Sequence, residues 1–247
     1  MRSVKFAKEK RYWSIQRIDN LGIIKMTNDA TKWNNGCKED KTRNLFIIPL
    51  LTKILTYFKP LKISDVGTGT AYIAREVDKR LQYSAVWTVI DIQEDRLKFA
   101  VSQKPRNMKM QTQKVSFLEV SDVGLKFDAI IFIFTLLEMD INKKFFSQIA
   151  TLLNDDGIAC ITIPDSLKDI YDSDTAALSL LGNYLDNKCV LDKIDKFTEK
   201  KYPFKAHRFE HIVESMIQVG LDLVYMKIEY ETFLLVFKKS GNQDGYK

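Results

Sequence analysis

The amino-acid sequence predicts an α/β fold with a doubly wound, mostly parallel seven-stranded sheet, an antiparallel terminal strand and an N-terminal helical cap. Two observations predict it. Between residues 62 and 163, short segments that are apolar on both faces alternate with amphipathic helical segments. Strands of this kind are typical of parallel sheets that helices cover on both sides. The last two apolar segments are joined by only three residues, and so short a link makes them antiparallel.

The first 60 residues predict the helical cap and lead-in. Residues 5–25 carry apolar side chains at helical spacing. The polar stretch 27–41 is rich in Asn, Asp and Lys and predicts a loop. Residues 44–57 are again apolar at helical spacing and stop before Pro60, which predicts a helix that packs on the sheet.

Residues 61–164 predict the core of the sheet. The predicted strands are 62–66, 85–90, 108–113, 127–134 and 158–163, and the predicted helices are 71–81, 94–102 and 142–153. Because helices carry the chain between parallel strands, the right-handed rule for such crossovers gives a doubly wound sheet.

After Pro164 the alternation lapses. Residues 165–205 are a predicted insertion, irregular and partly helical, that is rich in Asp, Lys and Leu. Residues 206–240 predict a C-terminal helix and strand pair, with the helix at 209–219 and the strands at 221–228 and 232–238. Gly220 follows the helix where glycine commonly ends one.

The composition predicts one globular domain, residues 1–247, in a reducing compartment. Hydrophobic residues make up 45% and charged residues 28% of the chain. The longest uncharged apolar run, 129–137, is far shorter than the roughly 20 residues that span a bilayer, and the N-terminus does not resemble a signal peptide. Three widely spaced cysteines do not suggest a disulfide framework. We therefore expect a cytoplasmic protein without a membrane partner.

The net charge of +6 raises the question of a nucleic-acid partner. The lysines are spread along the chain, with modest clusters at 5–11, 104–109 and 196–208. A solvated lysine-rich surface accounts for this distribution, so we do not expect nucleic-acid binding. A zinc site is also disfavoured, because no paired cysteines lie near the two histidines.

A glycine turn follows the first strand of the core, in "ISDVGTGTAYIAREV" (residues 63–77). Ligands of open parallel sheets bind at the carboxyl ends of the strands, and glycine lets backbone N–H groups approach a ligand closely. Asp91 ends the second strand, about two dozen residues on, where an acid can accept both ribose hydroxyl protons. The alternative is an ordinary strand–helix turn and a surface acid.

Two phosphate-binding motifs are incomplete or absent, and this limits the class of ligand that the turn could bind. A pyrophosphate-binding G-x-G-x-x-G would need its third glycine at position 72, which is Tyr72. The chain also lacks the G-x-x-x-x-G-K-[ST] of a P-loop. A nucleoside ligand without a pyrophosphate fits these residues better.

The turn "DVGTGTA" (65–71) resembles the cofactor turn of the class I S-adenosylmethionine-dependent methyltransferases, with Ala71 in place of their usual third glycine. The resemblance continues in "VIDI" (89–92), "KFDAI" (126–130) and "LLNDDGI" (152–158), and covers roughly residues 44–165 and 205–239. It implies a Rossmann-like methyltransferase fold, S-adenosylmethionine as cofactor and S-adenosylhomocysteine as product.

The resemblance also implies a role for each position of the cofactor site. Asp65 would hold the methionine ammonium group. Gly67 and Gly69, with Thr68 between them, would leave room for the methionine and ribose moieties. Asp91 would take the ribose hydroxyls, Ile92 would pack on adenine, Gln113 (or its rivals Glu119 and Asp122) would accept from the adenine amino group, and Phe134 and Thr135 would face the methyl donor.

Two features argue against particular classes of methyl acceptor. The chain has FTLLE at 134–138, where enzymes that methylate exocyclic base amines carry Asn/Asp-Pro-Pro-aromatic. Cys160 lies in the middle of a strand, as a buried small residue would, so it is not expected to be the nucleophile of a cytosine C5 methyltransferase. We expect methyl transfer to oxygen or nitrogen of a small molecule. The alternatives are a protein or RNA methyltransferase and a non-catalytic cofactor-binding module.

Two segments are candidates for the acceptor side. His207-Arg208 resembles a His-Arg pair that faces the acceptor in small-molecule members of the family, so His207 would act as general base or orient the substrate, and Arg208 would contact it. A capping or surface histidine is the alternative. "RYWSIQRI" (11–18) and "RNLFIIPLL" (43–51) resemble the helical cap of the same group, which with residues 165–205 would close over the cofactor. Tyr12 and Trp13 would then line the acceptor site, unless they are core aromatics.

Overall fold

A seven-stranded mixed sheet forms the centre of the protein in the computed structural model, which describes residues 18–19, 23–24, 30–123, 125–171, 177–186, 189–194 and 201–240. The strands are β1 Lys62–Val66, β2 Val86–Asp91, β3 Lys109–Lys114, β4 Phe127–Ile133, β5 Leu153–Pro164, β6 Leu221–Glu229 and β7 Thr232–Lys239. Their order is β3-β2-β1-β4-β5-β7-β6, with β1 to β5 parallel and β7 antiparallel to both of its neighbours. The predicted fold class is confirmed.

Helices cover both faces of this sheet. They are α1 Ala30–Glu39, α2 Ile48–Phe58 (entered through a π-helical turn, Thr42–Ile47), α3 Tyr72–Asp78, α4 Glu94–Ser102, α5 Lys143–Leu152, α6 Ser166–Tyr171, α7 Ala177–Leu185 and α8 Phe209–Gln218. Shorter 3₁₀ turns lie at Phe117–Val123 and Thr135–Glu138. α1 and α2 supply the predicted helical region before the sheet.

Strand β4 shows why the core strands lack a polar face. Ala129 and Ile131 pack into a buried cluster with α2 and α3, while Ile130 and Phe132 pack into a second cluster with α5 and α8. Alternate side chains therefore enter two separate cores, one on each side of the sheet. A strand in this position needs apolar residues throughout.

Asp128 interrupts the apolar sequence of β4, and its hydrogen bonds link the amino ends of three strands. Its carboxylate accepts from the backbone N–H groups of Leu61 and Lys62, each at 2.9 Å, and from Asn154 Nδ2 at 2.7 Å. Burial acts against ionisation, but these hydrogen bonds lower the pKa of Asp128 below its usual value. The "KFDAI" segment thus has a structural role in joining β1, β4 and β5.

The structure corrects the prediction of a loop at 27–41, because α1 forms within it. Asn and Gly are poor helix formers, so local propensity favoured a loop. One face of α1, however, buries Asn34 and Cys37 and packs Trp33 on the core. Tertiary packing outweighs propensity here.

Two further segments differ from the prediction. Ile18–Asp19 pairs antiparallel with Ile23–Ile24, so the helix predicted for 5–25 is wrong at these residues. The rest of that stretch, with Tyr12 and Trp13, lies outside the described residues. Within the insertion, Val190–Ile194 pairs antiparallel with Lys201–Lys205. The sequence missed this hairpin because charged residues and a proline interrupt its apolar alternation.

Candidate active site

The glycine turn begins where β1 ends, at the carboxyl edge of the sheet. Gly67 has φ +64° and Gly69 has φ +56°, in the left-handed region that glycine adopts without steric cost. A Cβ on Gly67 would lie 2.3 Å from Thr135 Cγ2, and one on Gly69 would lie 2.8 Å from Trp33 Nε1. Both positions therefore require glycine for conformation and for space.

Ala71 continues the left-handed pattern with φ +54°. For a residue with a Cβ, this conformation costs roughly 1–2 kcal/mol. The backbone N–H of Ala71 donates to Thr68 O at 2.9 Å and closes the turn into α3. The backbone geometry therefore explains why the family's third glycine stands at this position.

Asp91 connects the end of β2 to the glycine turn. One carboxylate oxygen accepts from the Gly69 N–H at 2.7 Å, and the other accepts from the Gln93 N–H at 2.8 Å. Thr68 N–H donates to Ile90 O at 3.1 Å and adds a second link. Since each carboxylate oxygen has two lone pairs, both retain capacity for a ligand hydroxyl.

Asp65 is buried beneath the same turn. Thr68 Oγ1 donates to its carboxylate at 2.5 Å. Burial, with a smaller contribution from Asp91, outweighs this hydrogen bond and raises the pKa of Asp65 to about 7. A cationic group beside this carboxyl would favour its ionised form.

The predicted adenine contacts lie at the ends of β2 and β3. Ile92 follows Asp91 and is 65% exposed, so it offers an apolar surface beside the acid. Gln113 pairs with Ile90 in register across β2 and β3, and it is half-buried. Its rival Glu119 is exposed in the 3₁₀ turn that follows β3.

The turn after β4 packs on the end of β1. Phe134 has φ +59°, and its N–H donates to Thr162 Oγ1 at 2.8 Å. Thr135 Oγ1 donates to Val66 O at 2.7 Å, which holds the threonine against Gly67. The structure therefore brings these two predicted residues together with the glycine turn.

Helix α1 covers the turn from the other side, which sequence reasoning missed. The Trp33 indole lies over Gly69, and the guanidinium carbon of Arg96 lies 4.0 Å from the centroid of the Trp33 ring. Asn34 Oδ1 accepts from Arg75 Nη2 at 2.6 Å and from Thr70 Oγ1 at 3.3 Å. The spacing of Trp33 and Cys37, four residues apart, was the available signal.

Arg96 and Glu138 add charge to the crevice, and neither was predicted. Arg96 is buried, and among the residues that the structure describes its Nε and Nη2 have no hydrogen-bond partner. Glu138 ends the turn Thr135–Glu138 and is exposed to solvent. Desolvation, opposed by Arg96 and reinforced by Asp91, raises the pKa of Glu138 to about 7.

His207 is buried behind the turn that follows β4. Its Nε2–H donates to Leu136 O at 2.7 Å. Burial outweighs the effect of this bond and lowers the pKa of His207 to about 4, so the ring is neutral at pH 7. Arg208 Nη1 donates to Leu185 O at 3.0 Å and thereby contacts α7. Their catalytic and acceptor-binding roles stay predictions.

Three further observations concern Cys160, metal binding and membrane-spanning helices. Burial raises the pKa of Cys160 to about 12, as expected of a core thiol. Within the described ranges, no three His, Cys, Asp or Glu side chains converge in a way that would hold a metal ion. In the same part of the chain, no helix combines the length and apolar character needed to cross a membrane.

Comparisons with solved structures find the same fold at low sequence identity. An O-methyltransferase family protein from Burkholderia thailandensis is 12% identical with a TM-score of 0.62, over 86% of this chain. This chain spans 61% of the length of that protein. Magnesium protoporphyrin IX methyltransferase from Synechocystis PCC 6803, solved with bound S-adenosylhomocysteine, is 14% identical with a TM-score of 0.58, over 82% of this chain and 86% of that one.

An S-adenosylmethionine-dependent methyltransferase from Clostridium acetobutylicum is 12% identical with a TM-score of 0.57, over 84% of this chain and 99% of that one. No curated protein matches the sequence significantly. The sequence family described as a methyltransferase domain matches residues 58–218, more than half of the chain. The chain therefore belongs to the methyltransferase domain family, which confirms its predicted membership among the class I S-adenosylmethionine-dependent methyltransferases.

Proposed function

We propose that this methyltransferase transfers a methyl group from S-adenosylmethionine to an oxygen or nitrogen atom of a small-molecule acceptor. The observation that carries the proposal is the crevice at the carboxyl edge of β1 and β2. There the glycine turn, with two glycines at positive φ, lies above the buried Asp65. Asp91, at the end of β2, accepts from the Gly69 N–H and has lone pairs left for a ligand.

The charges and the apolar surface of the crevice suit the cofactor. Asp65, whose pKa is raised to about 7 by burial, would be stabilised as a carboxylate by the methionine ammonium group. Asp91 would accept from the ribose hydroxyls, and the exposed Ile92 would pack on adenine. When bound, the cofactor supplies an electrophilic methyl group on a sulfonium, and the protein's main task is to orient the acceptor and exclude water.

The small-molecule acceptor is supported by the kind of proteins that share the fold. One of them is named for magnesium protoporphyrin IX and another for O-methylation. Strand Lys201–Lys205, at the end of the insertion, contacts the turn Thr135–Glu138, and His207, two residues further on, donates to Leu136 O within that turn. We propose that the acceptor binds on this side, with Arg208, Tyr12 and Trp13 as candidate contacts.

We propose that His207 positions the turn after β4 and does not act as general base. Its Nε2–H already donates to Leu136 O, and a base with a pKa of about 4 holds a proton too weakly to assist a reaction at pH 7. The hydrogen bond instead fixes the segment that carries Thr135 and Glu138.

A reducing compartment suits the cysteines that the structure describes. Cys37, Cys160 and Cys189 are free and buried. We propose that the enzyme works in the cytoplasm, where such thiols stay reduced.

Calorimetry with S-adenosylmethionine and S-adenosylhomocysteine tests the cofactor, and transfer of a labelled methyl group to small molecules, proteins and RNA tests the acceptor. We expect micromolar binding and transfer to small molecules alone. Binding without transfer to any class would favour a cofactor-binding module. Transfer to RNA with steeply salt-dependent binding would favour a nucleic-acid enzyme. Failure of both cofactor forms to bind would refute the proposal.

A further inference from the structure

Strand β6 forms one edge of the sheet and exposes apolar side chains along most of its length. Among the strands that the structure describes, it pairs with β7 alone. Its apolar residues that are 41–53% exposed are Val224, Tyr225, Met226 and Ile228. At the opposite edge, the strand β3 is polar and contains Met110 as its single apolar residue. An apolar edge strand with unpaired backbone groups favours pairing with another strand.

A bulge at Val224 determines which face of the sheet each side chain of β6 takes. Leu223 pairs with Phe237 and Tyr225 pairs with Val236, so Val224 is an extra residue between them. Phe237 belongs to the buried cluster with α5 and α8, and Val236 belongs to the cluster with α2 and α3. The bulge therefore reverses the alternation. Odd-numbered residues face the α8 side before it, and even-numbered residues face that side after it.

This reversal fixes the register in which β6 can pair with β6 of a second copy. Residues that lie opposite each other in an antiparallel pair must face the same side of the sheet. Over the whole strand, this condition is met when Val224 of one copy lies opposite Tyr225 of the other. Shifts of one or two residues bring side chains of opposite faces together. The opposing residues are then Leu221 and Ile228, Asp222 and Lys227, Leu223 and Met226, and Val224 and Tyr225.

In this register the edge is complementary to itself in charge. Asp222 of each copy lies opposite Lys227 of the other, and both residues are exposed. Within one chain, Asp222 Oδ2 accepts from Ser240 Oγ at 2.6 Å, and Lys227 Nζ lies 2.9 Å from Glu229 Oε2. A carboxylate has about four acceptor positions and an ammonium group has three donors, so these contacts leave capacity for a pair between copies.

The other opposing pairs are apolar on both sides. Leu223 meets Met226, and Leu221 meets Ile228, all on the α8 side of the sheet. Cross-strand pairs of this kind stabilise a sheet, and here they also cover side chains that the single chain exposes. A strand that matches itself in charge and in apolar character favours a second copy over a different protein.

We propose that two copies of this chain pair antiparallel through β6, about a two-fold axis perpendicular to the sheet. The two sheets then form one continuous sheet, of a size that occurs in large α/β enzymes. The axis turns one sheet by half a turn in its own plane, so the carboxyl edges of the two sheets point in opposite directions. The two cofactor crevices therefore lie at opposite edges, and neither copy completes the site of the other.

Analytical ultracentrifugation of the full chain over a range of concentrations tests the pairing. We expect the wild type to form a dimer at micromolar concentration. Asp222→Lys places lysine opposite lysine and Lys227→Asp places acid opposite acid, so each should weaken the dimer by about 10-fold or more. The double variant Asp222→Lys/Lys227→Asp restores opposite charges in this register and should dimerise again. Failure of a folded double variant to dimerise would refute the register.

Two apolar positions provide a matched comparison. Met226→Lys, within β6, should prevent dimerisation at concentrations where the wild type dimerises. Val101→Lys changes a residue of similar exposure on α4, near the opposite edge, and should leave the dimer unchanged. Circular dichroism checks that each variant folds. A wild type that is monomeric at every concentration would overturn the proposal, and so would a dimer that Met226→Lys and both single charge variants leave intact.

Hydrogen exchange of the wild type covers the case in which the variants do not fold. Pairing between copies adds hydrogen bonds to the outward backbone N–H groups of β6. Exchange across residues 221–229 should therefore slow as the protein concentration rises, while exchange in the edge strand β3 should not change. Exchange in β6 that is independent of concentration would contradict the proposed pairing.

Discussion

Replacing Asp65 by Asn should stabilise the cofactor-free protein at pH 8 while weakening its cofactor site. Burial raises the pKa of Asp65 from 3.8 to about 7. The folded protein therefore binds this proton more tightly than the unfolded chain does. The stability contributed by Asp65 is complete below about pH 4 and is lost as the pH rises through about 7.

The size of the effect follows from the shift in pKa. One unit corresponds to about 1.4 kcal/mol, so a shift of about three units gives an upper limit of about 4 kcal/mol at pH 8. Asn keeps an oxygen that accepts from Thr68 Oγ1 and carries no charge to bury. For a chain of this size, we expect the melting temperature of Asp65→Asn at pH 8 to rise by up to about 10 °C, with little change at pH 4.5.

Thermal melting of both proteins at several pH values without cofactor is the assay. Asp128→Asn is a matched control of opposite sign, because hydrogen bonds from Asn154, Lys62 and Leu61 lower the pKa of Asp128 despite its burial. That variant should lose stability at pH 8. Calorimetry should show that Asp65→Asn binds S-adenosylmethionine more weakly than the wild type does. The reasoning would be refuted by an Asp65→Asn protein that melts at or below the wild-type temperature at pH 8.

Three further predictions concern the turn and the residues around it. Asp91→Ala should weaken cofactor binding by roughly 1–3 kcal/mol and lower the melting temperature, because it also frees the Gly69 N–H; unchanged affinity by calorimetry would exclude the ribose role. Gly67→Ala places a methyl group 2.3 Å from Thr135 Cγ2 at φ +64°, so binding and stability should both fall, and a fully active variant would contradict the tight turn. His207→Ala should slow turnover with nearly intact cofactor affinity, and no wild-type rate change near pH 6.5 should come from this histidine, because its pKa is about 4. A wild-type rate in that variant would remove His207 from the mechanism.

The sequence was sufficient to predict the parallel sheet and the position of the glycine turn. Strands such as β4 are buried on both faces, and continuous apolar runs separated by helices leave few alternatives to a parallel sheet. Gly67, Gly69 and Asp91 could be placed at one edge because the carboxyl ends of parallel strands face the same side. The match to the methyltransferase domain family agrees with that placement.

Other parts of the site could not be predicted from local patterns. Helix α1 is rich in poor helix formers and depends on the burial of Asn34 and Cys37. His207 resembled a catalytic group in the sequence, but its bond to Leu136 O and the burial that lowers its pKa to about 4 could not be read from that resemblance. Burial and hydrogen-bond partners are properties of the packed chain, so spacing along the sequence does not reveal them.

By itself, the sequence determined the alternation of strands and helices, the position of the turn and the acids beside it, because these depend on hydrophobic periodicity and on the steric freedom of glycine. The tertiary structure alone decided which charges face the crevice. The guanidinium carbon of Arg96, on α4, lies 4.0 Å from the centroid of the Trp33 ring on α1, and Asp91 at the end of β2 accepts from the Gly69 N–H. These neighbours come from distant parts of the chain, and electrostatic interactions depend on distance and burial in space.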